Sequence, residues 1–175
     1  MQAHVDAVSR KPLLIKIGIA IVIASIGLFV MLSLSHKTPA PDVSFTNLQG
    51  EKISLKSLRG KVVMVNFWAT SCTTCVGEMP KMIETYDKYK AHGLDFVAVA
   101  MSYDPPNYVL NFVKTRALPF QVALDTNDKI ANSFGDVKLT PTTFVIDKQG
   151  NIIKRYVGEP VFAELHQLLD KALAA

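Results

Sequence analysis

The stretch FWATSCTTCVGEMP, residues 67–80, contains both cysteines of the 175-residue chain, Cys72 and Cys75. It overlaps the end of a continuous apolar run, KVVMVNFWA, which is the pattern of a central strand buried on both faces. The residues after Cys72 have the periodicity of a helix that extends to about His92. The two cysteines therefore lie at a predicted strand-to-helix junction.

This position suits cysteine chemistry. The unpaired N–H groups and the dipole at the start of a helix favour a negative charge on Cys72, and such a position lowers the pKa of a thiol. Cys75 follows three residues later and shares a helix face with Cys72. We expect Cys72 to attack a substrate disulfide and Cys75 to resolve the mixed disulfide that results.

Two structural interpretations of the cysteines are weaker. A disulfide that closes so small a loop constrains the unfolded chain little, and a domain of this size does not need it. A zinc site would need a second pair of ligands, and the histidines are scattered without metal-ligand spacing. The four histidines are His4, His36, His92 and His166. We predict neither a metal site nor a cofactor, and we expect His92 and His166 to be structural, with His166 on the polar side of its helix.

The charge of the chain is concentrated at its beginning. The net charge is +4, and residues 1–40 carry four basic side chains and one acidic one. The rest of the chain is nearly neutral and has no basic stripe. Nucleic-acid binding therefore has no electrostatic support, and we predict no nucleic-acid partner.

The basic residues flank an apolar segment. Residues 17–34 contain no charged side chain, and a helix of that length spans about 27 Å, enough to cross a hydrocarbon core. We predict a membrane anchor at residues 13–35, with residues 1–12 in the cytoplasm by the positive-inside rule. A cleaved signal peptide is the alternative, although its apolar region is usually shorter and SLS at residues 33–35 matches a cleavage site only weakly.

The sequence after the anchor predicts one domain. A Pro-rich linker occupies residues 36–41, and the domain occupies residues 42–175. The anchor places this domain on the periplasmic or extracytoplasmic side of a bacterial inner membrane, with membrane lipid as a partner of the anchor.

Strands and helices alternate along this domain. QG at residues 49–50 and G at residue 150 mark hairpin turns, and the buried strands are LDFVAVAM and FQVALD. Helices are predicted at PPNYVLNFVKTRAL, at NDKIANSFG and at the C-terminus. The inward residues of the last helix are predicted to be Val161, Leu165, Leu168, Leu169 and Ala172. The fold class is therefore α/β with a mixed central sheet flanked by helices.

Three motifs identify a family. VVMVNFWATSCTTC, EMP at Glu78–Pro80 and TPTTFVIDKQGNI at Thr140–Ile152 resemble the thioredoxin superfamily, and within it the membrane-anchored TlpA/ResA type of thiol–disulfide oxidoreductase. The resemblance covers about residues 40–173. It implies a thioredoxin-like fold in which Pro141 is cis and lies against the dithiol. It also implies that the backbone at Thr140 pairs with an extended segment of the substrate.

Glu78 is the candidate base. It follows Cys75 by one turn of the predicted helix, and burial would raise its pKa and suit it to accept the proton of Cys75. Thioredoxins carry a buried aspartate where this chain has Asn66, which cannot take up a proton. The TlpA/ResA type shows the same combination of asparagine and glutamate. The alternative is that Glu78 is a solvated helix residue.

Four further residues are expected to support the site. Trp68 is expected to pack beneath it. Ser71 stands where most relatives have tryptophan, which makes the rim smaller and more polar. Thr73 and Thr74 replace dipeptides that commonly end in proline. Because this dipeptide tunes the reduction potential, the direction of electron flow stays open.

The resemblance implies a reductase of protein disulfides, for example those of apocytochrome c before haem attachment. A membrane thiol electron donor would reduce the Cys72–Cys75 disulfide in turn. One alternative is an oxidase that donates disulfides, which would have a higher reduction potential. Another is a copper-delivering thioredoxin-like chaperone, a class that usually adds a histidine ligand.

Overall fold

The structure is a computed structural model that describes residues 11–34 and 38–175, with the side chains of residues 15–27 in the first segment. The chain divides into two units between residues 36 and 37. The first unit contains helix α1, Lys11–Leu34. Within the described residues, no helix combines the length and the hydropathy needed to cross a membrane. The predicted N-terminal segment, anchor and linker fall partly on residues 1–10 and 35–37, which lie outside the described residues.

The second unit is built on a mixed sheet, as the sequence predicts, and this sheet has six strands. Its strands are β1 Thr38–Pro39, β4 Val62–Trp68, β5 Leu94–Ala100, β6 Gln121–Leu124, β7 Thr142–Ile146 and β8 Asn151–Val157, and β2 Ser44–Thr46 pairs with β3 Lys52–Ser54 in a separate hairpin. The order in the sheet is β1-β8-β7-β4-β5-β6. β5 is parallel to β4 and β6, whereas β7 is antiparallel to β4 and β8.

Helices and apolar clusters cover both faces of the sheet. The helices are α2 Thr73–Tyr89, α3 Pro106–Arg116, α4 Lys129–Ser133 and α5 Phe162–Ala174, with 3-10 turns at Leu55–Leu58 and Lys90–His92. All seven residues of β4 are buried, which explains the unbroken apolar run in the sequence. Trp68 and Cys75 belong to one core cluster, and Phe67 belongs to the other.

The described part of the predicted linker is paired with the sheet. Thr38 and Pro39 form β1 and lie opposite Ile152 and Asn151 of β8. The Ala40 N–H also donates to the Gly150 C=O at 2.9 Å. The sequence does not show this pairing because the partner strand lies far along the chain, and a proline is acceptable in a strand at the edge of a sheet.

The last helix differs from its prediction at two residues. Leu165, Leu169 and Ala172 are buried as expected, but the prediction for Val161 is wrong: it is the N-cap residue and is 60% exposed. The prediction that His166 lies on the polar side is also wrong. Its ring packs 5.6 Å from that of Tyr89, and its Nε2 lies 2.9 Å from the Thr85 hydroxyl, because α5 packs against α2.

Candidate active site

The two cysteines lie at the junction of β4 and α2. A tight turn joins the two elements, closed by a hydrogen bond of 3.2 Å from the Cys72 N–H to the Ala69 C=O. Cys72 is the N-cap residue of α2, and its Sγ accepts a hydrogen bond of 3.2 Å from the Cys75 N–H. The sulfur therefore occupies the position of a helix-capping oxygen, where N–H groups favour negative charge.

Cys72 and Cys75 form a disulfide, with their Cα atoms 5.2 Å apart. Cys72 is half-buried, whereas Cys75 is completely buried in the core beneath the helix. Only the Cys72 sulfur is therefore open to a substrate, while Cys75 is placed to react with Cys72 itself.

Glu78 is a buried residue of α2, only 1% exposed, and lies one turn after Cys75. Asn66 of β4 donates from its Nδ2 to Glu78 Oε1 at 3.2 Å and to Thr143 Oγ1 at 2.9 Å. Within the described residues, Glu78 Oε2 and Asn66 Oδ1 have no hydrogen-bond partner. The carboxyl group is thus held on one oxygen only, and the interpretation of Glu78 as a solvated side chain is wrong.

The surroundings of Glu78 change its acidity. Burial raises its pKa to about 7, the hydrogen bond from Asn66 opposes this rise, and the negative charge of Glu159 adds to it. A carboxyl group that gains and loses its proton near neutral pH is suited to general acid–base catalysis.

The Thr140–Pro141 peptide bond is cis, as the family resemblance implies. Strand β7 begins directly after it, and Thr142 lies opposite Phe67 of β4. Pro141 therefore lies at the same end of the sheet as the last residues of β4 and the turn that carries Cys72. Thr140 is half-buried at this end.

The four supporting residues take different positions. Trp68 is completely buried and packs against Phe112, with ring centroids 5.1 Å apart, in the core cluster that contains Cys75. Ser71, Thr73 and Thr74 are exposed around the dithiol. Trp68 thus lies in the floor of the site, and the three small polar residues form its rim.

Asp104 also contacts the turn that carries Cys72, and the sequence does not predict this contact. This residue lies in the loop after β5 and is only 3% exposed. Its carboxylate accepts hydrogen bonds from the N–H of Thr70 at 2.6 Å and from the hydroxyl of Thr70 at 2.5 Å. An aspartate in a loop carries no local signal of such a contact. Thr70 lies in a different loop, the one that follows β4, at the same end of the sheet.

In residues 11–34 and 38–175, no group of three or more histidine, cysteine, aspartate or glutamate side chains is arranged to hold a metal ion.

Comparison with known proteins decides the family. The Redoxin family model matches residues 36–169. The thiol-disulfide oxidoreductase ResA of Bacillus thuringiensis strain Al Hakam is 42% identical over 132 residues, which cover 75% of each chain. The chain belongs to the Redoxin family. Within the thioredoxin superfamily it is of the TlpA/ResA type, and it is a protein disulfide oxidoreductase.

Solved structures of this Redoxin protein's relatives agree with its fold. A candidate thioredoxin from Neisseria meningitidis superposes with a TM-score of 0.73 at 42% identity, covering 78% of this chain and 91% of the other. A thiol:disulfide interchange protein of Chlorobium tepidum TLS gives a TM-score of 0.72 at 31% identity, covering 79% and 98%. The thioredoxin-like α/β fold predicted from the sequence is confirmed.

Proposed function

We propose that this Redoxin protein is a membrane-tethered reductase of protein disulfides that works outside the cytoplasm. The observation that carries the chemistry is the pairing of an accessible sulfur at a helix N-cap with a buried sulfur one turn before Glu78, whose pKa is about 7. The direction of the reaction rests on the likeness to the TlpA/ResA type.

The first chemical step belongs to Cys72. Its thiolate attacks one sulfur of a substrate disulfide, forms a mixed disulfide and releases the other substrate sulfur as a thiolate. The N–H of Cys75, which lies 3.2 Å from the Cys72 sulfur, favours the thiolate before attack. The released thiolate takes a proton from water.

The second step belongs to Cys75 and Glu78. The Cys75 thiol gives its proton to the Glu78 carboxylate and attacks the Cys72 sulfur, which closes the Cys72–Cys75 disulfide and releases the second substrate sulfur. Two electrons have then passed from the enzyme to the substrate. Asn66 orients Glu78 by its hydrogen bond of 3.2 Å, and the second carboxyl oxygen is left for the proton.

Substrate binding is assigned to the loop before β7. The backbone of Thr140 pairs with an extended segment of the substrate beside Pro141, in the manner of an added strand. Ser71, Thr73 and Thr74 are exposed and border the same edge of the sheet, so they contact the substrate on the side of the dithiol.

The N-terminal segment supplies the tether and the location. The apolar residues 17–34, with their basic flank, anchor the domain to the extracytoplasmic face of a bacterial inner membrane. A membrane thiol donor returns electrons to the disulfide, and apocytochrome c is a candidate substrate.

The reduction potential tests the direction of the reaction. Equilibration of the protein with a thioredoxin or glutathione redox couple, followed by quantification of the Cys72–Cys75 disulfide, gives its value. A reductase is expected near the potential of thioredoxin, about −270 mV. A value near that of the oxidant DsbA, about −120 mV, would instead establish the disulfide-donating oxidase.

A further inference from the structure

The side chain of Asp104 contacts the turn that precedes Cys72. Asp104 accepts hydrogen bonds from both the N–H and the hydroxyl of Thr70, at 2.6 and 2.5 Å. Thr70 lies inside the turn that the Cys72 N–H closes on Ala69. The carboxylate therefore fixes the backbone two residues before the attacking sulfur.

Asp104 is also buried without a cationic partner among the described residues. It is only 3% exposed. Its two hydrogen-bond donors belong to Thr70 and are neutral. The carboxylate contacts Thr70, which lies two residues before Cys72 in the same turn. Its negative charge therefore opposes a thiolate on Cys72.

We propose that Asp104 is a positioning residue that clamps the turn before Cys72 and, through its charge, makes the Cys72–Cys75 couple more reducing. The proposal rests on the proposed role of Cys72 as the attacking thiol. It gives the loop after β5 a function in the reaction, although none of its side chains belongs to the dithiol motif.

The direction in which the charge shifts the reduction potential follows from the reduction reaction of the disulfide. Reduction adds two electrons and two protons to the disulfide, and the Cys72 thiol then releases one proton to become a thiolate. A nearby negative charge destabilises this thiolate and therefore the reduced form, which lowers the reduction potential. Other titratable groups on these elements include Glu78 on α2, Tyr103 beside Asp104, and Glu159 after β8, which forms an ion pair of 2.9 Å with Lys81 of α2.

The substitution Asp104→Asn removes the negative charge but keeps the two hydrogen bonds to Thr70. The asparagine oxygen accepts from the Thr70 N–H, and its amide donates to the Thr70 hydroxyl, so both hydrogen bonds persist without the charge. We expect the acid dissociation constant of Cys72 to rise roughly 3- to 10-fold. At a pH above the pKa of Cys72, the same factor raises the potential by about 15–30 mV.

Asp104→Ala tests the clamp. It removes the hydrogen bonds as well as the charge, so attack by Cys72 should be slower than in Asp104→Asn when rates are compared per thiolate. Equal rates per thiolate in these two variants would overturn the positioning role.

Asp147→Asn is the matched control. Asp147 is also buried, at 6% exposed, but it follows β7, which runs antiparallel to β4. It therefore lies at the opposite end of the strands from Cys72. We expect this variant to leave the acidity of Cys72 and the potential unchanged.

The measurement is pH-dependent alkylation of each cysteine in the reduced full-length chain, together with the redox equilibrium. If Asp104→Asn and Asp147→Asn have the same acidity of Cys72 and the same reduction potential, the electrostatic role of Asp104 is overturned. If Asp104→Asn does not fold, Asp104→Ser supplies the neutral variant. Preferential alkylation of Cys75 in the unsubstituted chain would instead contradict the role of Cys72, which separates a failure of the proposed function from a failure of this inference.

Discussion

At the scale of single residues, the second step of the proposed reaction depends on one proton. Cys75 is buried and reaches no solvent, so its thiol needs a base inside the protein. Glu78 lies on the same helix, is equally buried, and keeps one oxygen without a hydrogen-bond partner in the described structure. In the proposed mechanism Asn66 orients Glu78 and takes up no proton, because an amide has no titratable proton near neutral pH.

Substitution of Glu78 by glutamine should slow resolution more than attack. Glutamine keeps the shape and the contact with Asn66 but cannot accept the proton, and general-base assistance is typically worth roughly 10²–10⁴-fold. Rapid-mixing kinetics with a disulfide peptide should show a longer-lived mixed disulfide and the loss of a pH-dependent limb near pH 7. Glu84→Gln, an exposed carboxylate on the same helix, is the matched control and should behave like the unsubstituted protein.

The same substitution should change how stability depends on pH. The pKa of Glu78 is raised from 4.5 to about 7, so the folded state binds this proton more tightly than the unfolded state does. The resulting stabilisation is present below pH 4.5 and is lost as the pH rises through 7. Relative to Glu78→Gln, the free energy of unfolding should therefore fall by roughly 3 kcal/mol between pH 4.5 and pH 8. Parallel curves for the two proteins would contradict the raised pKa.

At the scale of elements, α5 and α2 stabilise the site from one face of the sheet. Leu165 of α5 is completely buried in the core cluster that contains Cys75, whereas Leu168 of the same helix is only partly buried. We predict that Leu165→Ala lowers the free energy of unfolding by about 2–5 kcal/mol. Leu168→Ala should have a clearly smaller effect. Denaturant unfolding can be followed by Trp68, which is the only tryptophan and is buried in the same cluster.

Elements that are specified locally could be predicted from the sequence. The apolar run of β4 and the helical period after Cys72 are local patterns, and the structure has both elements. The edge strand at Thr38 could not be found in this way, because its pairing depends on β8 far along the chain. The contact of Asp104 with Thr70 was missed for the same reason. Glu78 was identified through its spacing from Cys75 and the family resemblance, but its burial and the contact with Asn66 needed the folded structure.

At the scale of the whole molecule, the chain combines a nearly neutral domain with a basic and apolar N-terminal segment. The basic residues before residue 17 and the absence of charge in residues 17–34 support an anchor with the domain outside the cytoplasm. In the proposed function, this arrangement keeps the reductase beside a membrane electron donor.

The proposed anchor predicts two results. The protein should stay with the membrane fraction after a high-salt wash, because hydrophobic insertion is not weakened by salt as a peripheral ionic contact is. A reporter that is active only outside the cytoplasm should be active when fused after Ala175. Recovery of the protein in the soluble fraction with a new N-terminus near His36 would instead establish a cleaved signal peptide.

The proposed reaction requires that Cys72 attacks the substrate disulfide and that Cys75 resolves the mixed disulfide. The most direct measurement is the trapping of mixed disulfides with Cys75→Ser, analysed by mass spectrometry of the joined peptides, with Cys72→Ser as its matched control. We predict that Cys75→Ser accumulates a covalent adduct at Cys72 when mixed with a disulfide substrate, and that Cys72→Ser forms little or none, since Cys75 is buried. An adduct that forms equally well in Cys72→Ser would contradict the assignment of the two cysteines.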